Sequence, residues 1–172
     1  MNSLKRSNLL PGWENSVGAS VFLYYKTSAM HPPIDDFIRR CKLDRVIDGD
    51  TLVLAIDLGF GTSKTEIVRL SGVDTPEPRG HESAAGRWVT ERVLEWIGNQ
   101  TEVWIHSRRY TTDKYQRCVA EVWIGGHSLN SWLIQKGYAW PTDDGGQIIG
   151  VRSVEGLSIP DGVKQQVREA LA

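Results

Sequence analysis

Residues 41–71 read CKLDRVIDGDTLVLAIDLGFGTSKTEIVRLS, and the fold is decided here. Cys41 to Ile47 and Thr51 to Leu58 are rich in β-formers, with Asp48-Gly49-Asp50 between them. An Asp-Gly pair between apolar alternations is a strong hairpin signal, because glycine accepts φ > 0 without penalty. Gly59-Phe60-Gly61 makes the next turn. Glu66 to Leu70 supplies a third strand through Ile67, Val68 and Leu70, and Ser71-Gly72 ends it. The stretch therefore predicts a three-strand meander.

Downstream, Ala85, Val89, Val93, Trp96 and Ile97 recur at spacings of three and four, which predicts a helix over 82–97 stopped by Gly98. Strand signals return at 102–106 and 119–124. A short helix over 129–136 turns Leu129, Trp132 and Leu133 inward and ends on Gly137. Residues 141–160 are turn-rich, and Val163, Val167 and Leu171 predict a terminal helix over 162–171. Three strands, a helix, two strands and a helix describe a small five-stranded barrel with two or three packed helices, α+β but mainly β.

Upstream, residues 1–39 mix Pro11, Gly12, Gly18 and His31-Pro32-Pro33 without a sustained period. They read as a partly ordered N-terminal extension with a short strand at 20–25, and Met30 is an alternative start. The expected division is an extension over 1–39, a barrel domain over 40–142, and a C-terminal tail with a short helix over 143–172.

The chain has 172 residues, 40% hydrophobic and 24% charged, with 20 Lys+Arg against 21 Asp+Glu for a net charge of −1. That balance argues against a polybasic protein that coats nucleic acid, but it leaves room for a local basic site. Cys41 and Cys118 form no CxxC pair and read as buried free thiols. No run approaches the ~18 apolar residues of a membrane helix. The apolar stretches near Lys5-Arg6 are shorter than the ~7–15 residues of a secretion signal, so a cytoplasmic monomer is expected.

Chemistry-bearing residues gather at strand ends and loops. Asp50 leaves a hairpin and Asp74 a strand terminus. Two such carboxylates, with a backbone carbonyl such as that of Thr75, suit a hard cation, Ca2+ or Mg2+. They do not suit zinc, since no His or Cys accompanies them. Turn geometry alone also accounts for Asp48, and for Asp50 taken by itself. Glu77 sits between Pro76 and Pro78, which restrict its backbone. Such a rigid carboxylate resembles a positioned general base, though a merely stiff turn reads equally well. Arg69 and Arg117 offer planar forks for a phosphate.

Residues 106–117 carry Arg108, Arg109, Lys114 and Arg117 against Asp113 alone, with Tyr110 and Tyr115 interleaved. This resembles a groove for single-stranded nucleic acid, in which cations hold the backbone and rings stack bases; a solvated basic loop is the plainer alternative. Tyr138 and Trp140 add further candidate rings. Gly59–Thr65 lacks the second glycine of a phosphate loop, and His127 with Asn130 has no metal-spaced partners.

The segments VIDGDT (46–51), RLSGVDTPE (69–77) and TDKYQR (112–117), in this order, resemble the staphylococcal nuclease (thermonuclease) family over roughly residues 41–140. The resemblance implies an OB-fold barrel and a Ca2+-dependent phosphodiesterase acting on DNA and RNA and leaving 3′-phosphate ends, with Mg2+ or another divalent ion as the alternative. It implies Asp50, Asp74 and the Thr75 carbonyl as cation ligands. Arg69, Glu77 and Arg117 would be catalytic, and Lys114 and Tyr115 would contact a neighbouring phosphate. Arg109, Tyr138 and Trp140 complete the expected substrate contacts, with single-stranded DNA or RNA as the partner. The Asp57–Gly61 turn and the missing secretion signal resemble bacterial or bacteriophage nucleases. The competing classes are a catalytically silent OB-fold binding module and a particle component docked through residues 1–39.

Overall fold

The computed structural model describes residues 37–100, 102–107 and 117–172. Its strands are β1 (Ile38–Asp48), β2 (Thr51–Gly59), β3 (Thr62–Leu70), β4 (Val73–Asp74), β5 (Val103–His106), β6 (Cys118–Ile124), β7 (His127–Ser128) and β8 (Trp140–Pro141). Its helices are α1 (Ser83–Ile97), α2 (Leu129–Lys136) and α3 (Asp161–Leu171), with 3-10 turns at Gly80–Glu82 and Val154–Gly156. The expected extension, the strand at 20–25 and Met30 lie outside the described residues, except that β1 already begins at Ile38.

Antiparallel pairing runs β3–β2–β1–β5–β6, and a parallel pairing of β3 with β6, Val68 with Cys118 through Leu70 with Ala120, closes the ring. The result is the expected five-stranded mixed barrel with three helices. Closure removes the sheet edges that would otherwise remain unpaired. β1 serves two neighbours and bends to do so: its register with β2 slips between Leu43 and Arg45 and again between Val46 and Asp48. Extra residues of this kind increase local twist and bend a strand.

Leu52, Leu54, Val68, Val103 and Val122 are fully buried in the core, where α1 adds Ala85, Val89, Val93 and Ile97 along one stripe. α2 starts at Ser128, whose hydroxyl accepts from the Ser131 N–H at 3.2 Å, and stops at Gly137 in the left-handed region (φ 68°). Residues 143–172, expected as a tail, supply Val154, Leu157, Ile159 and Val167 to the same core, and α3 packs on α1.

Two local readings change. The third strand begins at Thr62 rather than Glu66, because Thr62–Thr65 is exposed on both faces and carries no alternation to read. The Gly49-Asp50 turn has no positive φ at either residue. Glycine is required there by crowding instead, since a Cβ at Gly49 would stand 2.8 Å from both Thr75 Oγ1 and Val89 Cγ1. Positive φ occurs in the next hairpin, at Phe60 (53°) and Gly61 (74°), the two loop residues between the paired Gly59 and Thr62. That is a type I′ turn, which matches the twist of its strands.

Candidate active site

The β1–β2 hairpin, the end of β3 and the loop after β4 meet at one end of the barrel. Asp50 is buried and fully engaged. Its Oδ2 accepts from the Thr75 N–H (2.7 Å) and hydroxyl (2.8 Å), and its Oδ1 accepts from the Thr51 hydroxyl at 3.1 Å. Asp48 serves the turn, accepting the Asp50 N–H at 3.1 Å. Burial pushes the Asp48 carboxyl above its usual range, against a Thr51 hydrogen bond and the charges of Arg69 and Arg117.

Arg69 pairs across the sheet with Thr51, which aims it at both carboxylates. Its Nη2 donates to Asp74 Oδ1 at 2.6 Å. Its Nη1 is buried and faces Asp50 Oδ1 as an ion pair, without an aligned hydrogen bond. Burial lowers the Arg69 pKa, as does the neighbouring charge of Arg117, while Asp74 opposes both. Arg117 enters β6 beside Arg69 and donates to the Thr51 hydroxyl at 3.3 Å. Two guanidinium groups this close repel one another, so an anion placed between them lowers the energy of both.

The Thr75-Pro76-Glu77-Pro78 loop is braced from three directions. Thr75 holds Asp50, Pro76 is fully buried, and the Glu77 N–H donates to the buried Glu82 Oε2 at 3.3 Å. From α1, Gly86 approaches so closely that a Cβ there would lie 2.3 Å from the Glu77 carbonyl carbon and 2.5 Å from Pro78 N. Glu77 itself is exposed. Asn130, on α2, steadies the strand leading into this loop: its Nδ2 donates to Ser71 O at 2.7 Å and its Oδ1 accepts from Val122 N–H at 3.0 Å. That is a bracing role.

Asp50, Arg69, Asp74, Thr75 and Arg117 are thus brought together, with Glu77 on the adjoining loop. Arg109, Lys114 and Tyr115 lie outside the described residues. Both candidate rings are engaged within the protein. Tyr138 is half-buried, edge-on to Trp88 and Trp132 at centroid distances of 5.0 and 5.5 Å. Trp140 is buried, and its Nε1–H donates to Ser153 O at 3.2 Å.

Arg152 is the site residue the sequence did not reveal. Its Nη1 pairs with Asp74 Oδ2, its Nη2 with Glu82 Oε2 at 2.6 Å, and its guanidinium lies 4.5 Å from the centre of the Trp140 ring. Burial would lower its pKa, but the hydrogen bonds and charges of Glu82 and Asp74 raise it overall. It stands in an aperiodic segment with no motif around it, so no local signal marked it.

The family described as staphylococcal nuclease homologue matches residues 67–147, which include Arg69, Asp74, Thr75, Glu77 and Arg117. Over that stretch the chain is similar to the staphylococcal nuclease homologues. It is 37% identical over 98 residues to a thermonuclease of Staphylococcus intermedius, covering 55% of each chain. It is 33% identical over 101 residues to a thermonuclease of Staphylococcus hyicus, covering 57% of this chain and 56% of that one. Endonuclease YncB of Bacillus subtilis is 34% identical over 103 residues, 56% of this chain and 45% of its own. The chain spans about half the length of the thermonucleases it matches. Among the described residues, no helix is long and apolar enough to cross a membrane.

Proposed function

We propose that this chain hydrolyses phosphodiester bonds of single-stranded DNA or RNA with the help of a divalent cation, Ca2+ in the first instance, and leaves 3′-phosphate ends. The observation that carries this reading is a single guanidinium, Arg69, lying against both Asp50 and Asp74 with Arg117 beside it. Carboxylates and phosphate-binding forks therefore share one small volume.

The donor set fits a hard cation. Asp50 and Asp74 offer carboxylate oxygens, and Thr75, held on Asp50 by two hydrogen bonds, offers its carbonyl. Among the described residues no group of three or more His, Cys, Asp or Glu converges, so protein ligands would be few and water and phosphate oxygens would complete the shell. When bound, the cation would supply positive charge against the phosphoryl oxygens and make water a better nucleophile.

The protein's own residues divide the rest. Arg69 would turn its fork from the carboxylates to the non-bridging oxygens, and Arg117 would hold those oxygens from the β6 side. Both stabilise charge that grows in the transition state. Glu77, on its braced loop, would accept the proton of the attacking water. Lys114, Tyr115 and Arg109 would hold the neighbouring backbone.

The test is cleavage of circular single-stranded DNA and of RNA by purified protein in Ca2+, Mg2+ or EDTA. Cut circles with Ca2+ and intact circles with EDTA are expected, and the new ends should accept no 3′ label until treated with phosphatase. Intact substrate under every cation would refute the proposal in favour of a silent binding module.

A further inference from the structure

Arg152 lies five residues past the stretch that matches the family model. Its setting is nonetheless well built. Asp74 pairs with Trp140 through β4 and β8, and the Trp140 indole N–H holds the carbonyl of Ser153, next in the chain to Arg152. The guanidinium rests on that ring and spans Asp74 and Glu82. Ring, backbone and two carboxylates therefore place one charged group against Asp74 Oδ2, while Arg69 takes Oδ1.

Resting on the reading of Asp74 as a cation ligand, we propose that Arg152 competes with the divalent cation for Asp74, so that the C-terminal segment sets the cation affinity of the site. A guanidinium has donors only, so on Oδ2 it takes up a lone pair that a cation would use and sets a positive charge beside the cation's own. Arg152 loses little when displaced, because Glu82 and the Trp140 face still hold it. Its side chain is 36% exposed, so the contact with Asp74 is partly screened by solvent. Competition of that strength alters affinity by roughly three- to tenfold.

The experiment is Ca2+ titration of the intact chain by calorimetry, with the Trp140 indole N–H followed in assigned NMR spectra. Arg152→Gln should bind Ca2+ about three- to tenfold more tightly than the wild type. Arg152→Lys keeps the charge but cannot span both carboxylates, and it should fall between them. In the wild type the Trp140 signal should move as Ca2+ is added, and in Arg152→Gln it should stay. Weaker or unchanged binding by Arg152→Gln, or binding by Arg152→Lys weaker than wild type, would overturn the inference and leave Arg152 as a support for Asp74. Tighter binding with a still Trp140 signal in the wild type would overturn direct competition in favour of a net-charge effect. If Asp74→Asn binds Ca2+ as well as the wild type, or the wild type binds none, both this inference and the cation reading beneath it fail.

Discussion

Replacing Gly86 by alanine separates the stability of this fold from the geometry of its site. In an ordinary helix interior the change stabilises by about 1 kcal/mol, since alanine restricts the unfolded chain and fits the helix best. Here the new Cβ would stand 2.3 Å from the Glu77 carbonyl carbon, 2.4 Å from its oxygen and 2.5 Å from Pro78 N. Ordinary contact begins near 3.4 Å, so loop and helix must part by about 1 Å. Overpacking of that size costs about 1–3 kcal/mol. Set against the helix gain, net destabilisation is roughly 0–2 kcal/mol, and the chain stays folded. The displaced group, however, is Glu77, the proposed base, and if it acts as proposed a misplacement of about 1 Å costs about 10²-fold in rate. Gly162, in the first turn of α3, has nothing within 4 Å of a built Cβ. The same substitution there should therefore hold or raise Tm and leave activity alone. Thermal melts by circular dichroism and initial rates on single-stranded DNA measure both. Folded Gly86→Ala protein with a rate within threefold of wild type would show that the loop's position does not govern the chemistry.

Further outcomes follow from single residues. Phe60 holds a left-handed φ of 53° at a fully exposed hairpin tip, so Phe60→Asn should stabilise by about 1 kcal/mol. Tm should then rise by roughly 2–4 °C, and a fall would show that the ring has a partner. Burial pushes the Cys41 thiol up to about 12 from its ordinary value near 9, so iodoacetamide at pH 8 should leave it unmodified until denaturant is added. A thiol that ionises later when folded favours the unfolded chain once pH exceeds 9. Stability should therefore fall as pH rises from 9 toward 12, and Cys41→Ala should flatten that slope in urea titrations at each pH.

The barrel was legible because its strands and α1 repeat apolar residues at fixed periods. Ala85 with Val89, Val93 and Ile97 were placed by spacing, and Val68 by its run of β-formers. Motif order brought Asp50, Arg69, Asp74, Thr75 and Arg117 to one end because those residues sit on or beside paired strands. Contacts set by tertiary approach were not legible. Gly49 was read as a φ requirement, but it is Thr75 and Val89, distant in sequence, that exclude a side chain. Trp140 offered no sign that β8 would bury it against β4, and Arg152 reaches Asp74 across 78 positions of chain from a segment with no period. Residues 143–172 looked like a tail because their four buried side chains are spread thinly among turns.

Asp74 is where stability and the proposed chemistry depend on the same atoms. It neutralises Arg69 on one oxygen and Arg152 on the other, and its side chain is only 16% exposed. Asp74→Asn keeps the shape but removes the charge. It leaves Arg69 with Asp50 alone and turns an amide N–H₂ toward one of the two guanidinium groups. Breaking a fully buried ion pair by removing one partner costs about 3–5 kcal/mol. Arg152 is partly solvated and keeps Glu82, and Arg69 keeps Asp50, so the loss here should be smaller, about 1–3 kcal/mol. A catalytic carboxylate placed only for chemistry would behave in the opposite way, since relieving strained charge usually stabilises a protein. Urea melts of Asp74→Asn therefore discriminate: a midpoint above that of the wild type would show that Arg69 and Arg152 do not depend on Asp74. A lower midpoint, together with lost cleavage, ties the two arginines and the proposed cation to one side chain.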